Sequence, residues 1–207
     1  MRAVVFDLGG VLLHWRPLEL LQQSVPELAP DEAAARALAP RIFESFEPGS
    51  DWAAFDLGLV EPHELASRIA TRLGVADTSI RRVIDAIPAH LQPMADSTAL
   101  LAALRAAGHR LLFLSNMPRP FADHLEVTHA FFGHLEGGVF SGRVGLMKPD
   151  PAIFHLVVER FGIEPTDTLF VDDHAGNVLA ARSLGWQALH FTDAPSCAAA
   201  LRRDGWL

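Results

Sequence analysis

Three apolar runs in this sequence end in residues that can do chemistry, and a fourth leads to one. Val4-Val5-Phe6 ends in Asp7, Leu112-Phe113-Leu114 in Ser115-Asn116, and Leu169-Phe170-Val171 in Asp172-Asp173. The loop after a weaker run at Gly138 to Phe140 carries Lys148. If the runs are strands of one open sheet, ligands bind outside their carboxyl ends. Three carboxylates, a hydroxyl, an amide and an ammonium then converge on one edge. Asp7, Asp172 and Asp173 could give a hard cation its oxygen ligands. Magnesium there would cancel their mutual repulsion and the charge of an incoming phosphate. A carboxylate on a tight turn can attack phosphorus and form an aspartyl-phosphate. Ser115 and Asn116 can donate hydrogen bonds to phosphoryl oxygens, and Lys148 can neutralise their charge. Gly9-Gly10 lets the backbone approach the phosphate closely. The lysine stands out by usage: Lys148 is the one lysine among 17 basic residues. Arginine is the default surface cation here, so Lys148 suggests a need for a compact ammonium rather than a planar fork.

The elements that must hold these groups read as an α/β pattern. Five apolar runs fit buried parallel strands: Ala3 to Phe6, Arg110 to Leu114, Gly138 to Phe140, Thr168 to Val171 and Gln187 to His190. Helical patterns lie between most of them: Ser97 as a cap to about Ala107, Pro151 to Phe161 before Gly162, and Ala175 to Leu184 before Gly185. The pattern predicts a doubly wound, mostly parallel sheet with right-handed crossovers. One segment breaks the alternation. Residues 14–87 show helical spacing, as in Asp31 to Phe46 and Glu61 to Leu73, and far exceed one crossover. They are expected to form a helical insertion with turns at Pro26, Pro40, Pro48-Gly49, Pro62 and Pro88. The core would then be residues 1–13 and 88–207.

Composition narrows the function classes. The net charge of -8 argues against nucleic acid or an anionic membrane as partner. No apolar run reaches the ~20 residues of a membrane span, and the first residues lack a signal peptide's apolar stretch. A single cysteine, Cys197, excludes an internal disulfide and a cysteine-based zinc site. Its Ala-rich setting reads as a buried structural thiol. These features point to a cytoplasmic protein with a small-molecule substrate; they leave the oligomeric state open.

With these motifs in order, the chain resembles the haloacid dehalogenase superfamily, in its phosphatase branch with a helical cap inserted after the first strand. Phe6-Asp7-Leu8-Gly9-Gly10-Val11-Leu12 looks like the nucleophile motif, and Leu114-Ser115-Asn116 like the second. Lys148 in Lys-Pro-Asp-Pro looks like the third, and Phe170 to Val178 like the acidic metal motif. The resemblance implies Asp7 as nucleophile. It also implies Asp7, the Gly9 carbonyl, Asp172 and Asp173 around Mg2+, and Asn177 lining the site. The stretch from Trp52 to Gly58 is similar to the cap of sugar-1-phosphate phosphatases and of the epoxide hydrolase phosphatase domain.

One position departs from the family pattern. Its phosphatases usually carry a second Asp two residues after the nucleophile, which protonates the leaving group; here that residue is Gly9. Such a group is worth ~100- to 10,000-fold in rate. His14 and His174 are candidate substitute donors; a leaving group needing little protonation, such as an anomeric phosphate, is the other solution. Two rival readings stay open. A metal-free 2-haloacid dehalogenase also lacks the second Asp, but Asp172-Asp173 would then repel without a cation between them. A non-catalytic phosphate-binding protein would need no acid at all. Arg41, Phe43, Phe46, Trp52 and Phe55 in the insertion, and Arg119 after the second motif, are candidates to face the substrate.

Overall fold

The structure, a computed structural model, describes residues 2–44 and 49–207. Phe46 and the Pro48 turn, both named above, lie outside the described residues. Strands β1 (Ala3–Phe6), β2 (Arg110–Ser115), β3 (Gly137–Phe140), β4 (Thr168–Asp172) and β5 (Gln187–His190) pair in parallel in the order β3-β2-β1-β4-β5. All five expected strands are present, within one residue of the expected bounds. The chain builds outward from β1 on one side and then crosses to β4 on the other. That reversal puts a crevice beside the end of β1, where open α/β sheets bind ligands.

Alternate residues of the central strands enter two cores, which is why the runs are apolar without a break. Val4, Phe6, Phe113 and Val171 join one apolar cluster; Val5, Leu112, Leu114 and Phe170 join the other. Helices α9 (Pro151–Phe161) and α10 (Ala175–Ser183) pack into the second. There Phe154 meets Phe170 and Trp186 edge-on, at 5.5 and 5.7 Å between centroids. Helices α6 (Ala95–Ala106) and α11 (Ala194–Arg203) pack into the first. Cys197 is buried in α11, and desolvation pushes its thiol up to about 11, so it is an inert packing residue at neutral pH.

Among the described residues, five helices and no strand lie between β1 and α6: α1 (Pro17–Ser24), α2 (Glu32–Phe43), α3 (Asp51–Asp56), α4 (Pro62–Leu73) and α5 (Asp77–His90). Asp31 and Ser50 cap α2 and α3 by accepting the Ala34 and Ala53 N–H groups at 2.8 and 3.1 Å. Pro62 opens α4, and Gly74 ends it at φ 69°. Pro40 and Pro88 do not mark turns; they sit inside the last turns of α2 and α5. Each removes one backbone bond near a helix end, and burial of Ile42 and Phe43, or Ile84 and Ile87, keeps the turn folded. The expected boundary at residue 87 therefore falls within α5. Ser97 does not cap α6 either. The helix starts at Ala95, and Ser97 is buried inside it with a hydroxyl that finds no partner among the described residues.

The insertion is tied to the sheet's carboxyl edge at α3. Ser141 opens the short helix α8 (Ser141–Val144) after β3. Its hydroxyl donates to the Asp56 carbonyl at 2.6 Å and accepts the Met117 N–H at 2.8 Å. Edge-on aromatic contacts run Phe43–Trp52–Phe55–Phe121, joining α2 and α3 to α7 (Arg119–Thr128). Gly58, at φ 72°, lies so close to the Gly142 carbonyl that a Cβ would collide with it. Gly58→Ala combines that collision with a left-handed backbone. It is expected to cost ~1–3 kcal/mol, read as a Tm several degrees lower, whereas Gly74→Ala, with open space at its Cβ, should cost less.

Candidate active site

The end of β1 turns sharply because Leu8 accepts backbone N–H groups from Val11, Leu12 and Leu13. That turn presents Asp7 to the crevice, with its own N–H on the Val171 carbonyl of β4 at 2.8 Å. Lys148 is buried between strand ends. Its Nζ lies 2.9 Å from Asp7 Oδ1 and 2.6 Å from Asp172 Oδ2. The loop holding it is clamped by Asn116, whose amide donates to the Lys148 carbonyl at 2.9 Å and accepts the Lys148 N–H at 2.8 Å.

Asp172 and Asp173 have different surroundings. Asp172 is fully buried, and both its oxygens are in use. Beyond Lys148, it accepts the His174 N–H at 2.7 Å and the Asn177 amide at 3.1 and 3.0 Å. Asp173 is exposed, and its carboxylate makes no ion pair or hydrogen bond to another described residue. It stands over Gly10, where any Cβ would overlap the carboxylate, which is why a glycine at φ 76° is required. Asp7, Asp172 and Asp173 each offer an oxygen within 4.8 Å of the others.

Charge does not balance in this cluster. One ammonium faces three carboxylates, a deficit that one divalent cation would fill. Burial, opposed by Lys148 and reinforced by Asp172 and Asp173, pushes Asp7 up to about 7. Burial likewise raises Asp173, with Asp172 adding to it. Burial acts to discharge Lys148, but Asp172 and Asp7 outweigh it and hold its pKa above the ordinary lysine range. The Gly9 carbonyl, beside Asp7, accepts no hydrogen bond from a described residue. Asp7, Asp173 and this carbonyl are all hard oxygen donors, so the residues fit a magnesium-like ion.

A cavity of about 350 Å³ opens over the cluster, within the range of small-molecule sites. Asp7, Gly9, Ser115, Asn116, Lys148 and Asp173 form its floor. His174 and Asn177 also line it, His174 as an exposed residue. Among the described residues the far walls are apolar apart from Asp56: Trp15, Trp52, Ile87, Leu91, Met117 and Phe121. Of the substrate-facing candidates among the described residues, only Trp52 is there. Phe43 and Phe55 are buried in the aromatic chain, while Arg41 and Arg119 are exposed and do not line the cavity. His14 does not line the cavity. Asn116 and Asn177 are engaged with Lys148 and Asp172, so they position the site's charges more directly than they could bind phosphate.

Asp56, on α3, was missed from sequence. It is 3% exposed, lines the cavity and makes no side-chain hydrogen bond to a described residue. Burial, with the charge of Asp7 adding and Lys148 opposing, pushes its carboxyl up to about 8. A signal existed: Trp52, Phe55 and Asp56 stand at i, i+3 and i+4, so a carboxylate occupies the helix's apolar face.

Comparison with known proteins gives a consistent picture. The family model described as haloacid dehalogenase-like hydrolase matches residues 1–185. The chain is similar to the sesquiterpene phosphatase astK of Aspergillus oryzae, 28% identical over 202 residues, 98% of this chain and 95% of that one. It is also similar to an (S)-2-haloacid dehalogenase of Pseudomonas putida, 25% identical over 193 residues, 90% of this chain and 82% of that one. Its fold matches that of a HAD family enzyme from Bacteroides thetaiotaomicron crystallised with magnesium and inorganic phosphate. The TM-score is 0.68 at 24% identity, over 93% of this chain and 94% of that one.

The raised carboxyls set the sign of the pH dependence. A group whose folded pKa is raised stabilises below its unfolded value, and that contribution is lost as pH rises through the folded value. Asp7 and Asp56, lifted from 3.8 to about 7 and about 8, place this loss between about pH 4 and pH 8. The metal-free protein is therefore expected to melt at lower temperature as pH rises through that window, and Asp56→Asn should flatten the fall. Thermal unfolding in chelator at several pH values checks this; a Tm that climbs instead would mean both groups ionise early.

Proposed function

The chain belongs to the haloacid dehalogenase-like hydrolases, and from that premise we propose that it is a magnesium-dependent phosphatase acting on a small phosphorylated metabolite. The observation that carries this is the charge deficit around Asp7. A buried lysine shared by Asp7 and Asp172 leaves Asp173 uncompensated beside the nucleophile. A dehalogenase attacking carbon without a metal has no use for that surplus. Asp7, the Gly9 carbonyl and Asp173 would hold the ion. Asp172, saturated by Lys148, Asn177 and the His174 N–H, orients the lysine instead. Magnesium supplies positive charge beside the phosphoryl oxygens and offsets their repulsion of Asp7.

The protein's own groups do the rest. Lys148 and the Leu8 N–H, 2.7 Å from Asp7 Oδ1, leave Oδ2 free to attack phosphorus. Ser115 and Lys148 bind the phosphoryl oxygens as they gain charge. Water then hydrolyses the aspartyl-phosphate and regenerates Asp7. Helices α1 to α5 act as a cap that walls the site off from water. The cap's walls also speak to the substrate. A sugar would need several polar partners, and Trp15, Trp52, Ile87 and Leu91 offer few. They favour a phosphomonoester with an apolar organic part over the sugar phosphate that the resemblance suggests. The similarity to a sesquiterpene phosphatase supports the same preference.

Phosphate release from a panel of alkyl, prenyl and sugar phosphates tests the reading. Asp7→Asn should lose roughly 1,000-fold or more in kcat, and apolar esters should have the highest kcat/KM. Halide release from a 2-haloacid that survives chelation would establish the dehalogenase instead. Magnesium should raise the Tm of the wild type, and Asp173→Asn should abolish that rise. Asp172→Asn should lower stability itself, by ~1.5–3 kcal/mol, because Lys148 loses the shorter of its two charged partners and keeps Asp7.

A further inference from the structure

A phosphatase that releases an alcohol must protonate the departing oxygen, and position 9, where the family usually places the acid, is glycine. We infer that Asp56, on the inserted helix α3, supplies and retrieves that proton. The inference rests on the phosphatase reading above.

Three observations point to Asp56. It lines the same cavity as Asp7 and Gly9, yet comes from the insertion, on the side where the substrate's organic part would lie. It is buried, and its carboxyl has no hydrogen-bond partner among the described residues, so nothing else accounts for a polar group on an otherwise apolar helix face. It is also held in place: the Ser141 hydroxyl grips its carbonyl at 2.6 Å, and Gly58 seats the following turn against Gly142. Its surroundings keep the proton on at neutral pH, since apolar walls and the charge of Asp7 outweigh Lys148. The histidines are placed less well. His14 is outside the cavity lining, and exposed His174 adjoins Asp173, on the side where the cation would lie.

The steps balance. Asp7 Oδ2 forms a bond to phosphorus while the phosphorus–ester oxygen bond breaks and its electron pair stays on that oxygen. Asp56 gives this oxygen its proton, so a neutral alcohol leaves. The Asp56 carboxylate then takes a proton from the water attacking the aspartyl-phosphate. The phosphorus–Asp7 bond breaks, inorganic phosphate forms, and both side chains return to their starting states.

Asp56→Asn keeps the shape and neutrality of the protonated acid and breaks no hydrogen bond. The probes are hexyl phosphate, whose alkoxide cannot leave unprotonated, and p-nitrophenyl phosphate, whose phenolate can. The variant should lose ~100- to 10,000-fold in kcat on hexyl phosphate. On p-nitrophenyl phosphate it should give a rapid burst of about one p-nitrophenolate per enzyme, then stall with phosphate on Asp7. Adding Gly9→Asp, whose Cβ meets no atom within 4 Å, should restore hexyl phosphate turnover. Wild-type kcat for Asp56→Asn on hexyl phosphate, or an equal loss of the first turnover on both probes, would overturn the assignment and leave the phosphatase reading standing. A wild type that releases no more phosphate than Asp7→Asn from either probe would remove the phosphatase reading, and this inference with it.

Discussion

A single buried ammonium organises the site. Lys148 cannot be buried charged unless it is paired, and it is paired twice, to the carboxylates that end β1 and β4. Breaking either contact would leave buried charge with one partner fewer, so the two strand ends and the Lys148 loop are held at fixed distances. Asn116, at the end of β2, completes the arrangement by clamping the loop through both faces of its amide. Three parallel strands thus deliver their polar residues to one point, and hydrogen bonds hold them there.

The same pairing explains why neighbouring aspartates differ. Asp172 spends its oxygens on Lys148, Asn177 and a backbone amide, and it is buried because it is satisfied. Asp173, one residue on, turns out over Gly10 and keeps its carboxylate uncommitted. The uncompensated charge collects at the surface of the crevice, where a cation and a phosphate can reach it. It does not collect inside the sheet, where it would cost several kcal/mol per ion.

The inserted helices supply the other half of the cavity, and their chemistry is opposite. Among the described residues they contribute aromatic and aliphatic walls and one unpaired acid, Asp56, against a floor of charges. The two halves are joined where Ser141 bridges the Asp56 carbonyl and the Met117 N–H, and where Gly58 meets Gly142. An acid carried on the insertion can sit beside the leaving group, whereas one carried on the β1 loop would approach it from the nucleophile's side.

The sequence by itself determined the strands and the residues that end them. A parallel strand buried on both faces must be an apolar run, and the residues at its end must meet the crevice, so Asp7, Ser115 and Asp172-Asp173 were legible there, and Lys148 as the one lysine in the loop after β3. Local pattern also gave the helical character of the insertion, though not its turns: Pro40 and Pro88 read as breaks because burial that keeps a helix going past a proline is not a local property. Only the tertiary structure decided which aspartate is saturated and which free. It also placed Asn116 and Asn177 on neighbouring side chains, drew Trp52 into the cavity and left Arg119 outside. Asp56 is the clearest case. Its role as a site residue depends on where α3 docks, and that is fixed by contacts with Ser141 and Gly142, some 85 residues away along the chain. Strand ends announce a site because the sheet's geometry is general; an inserted helix joins it through contacts particular to this chain.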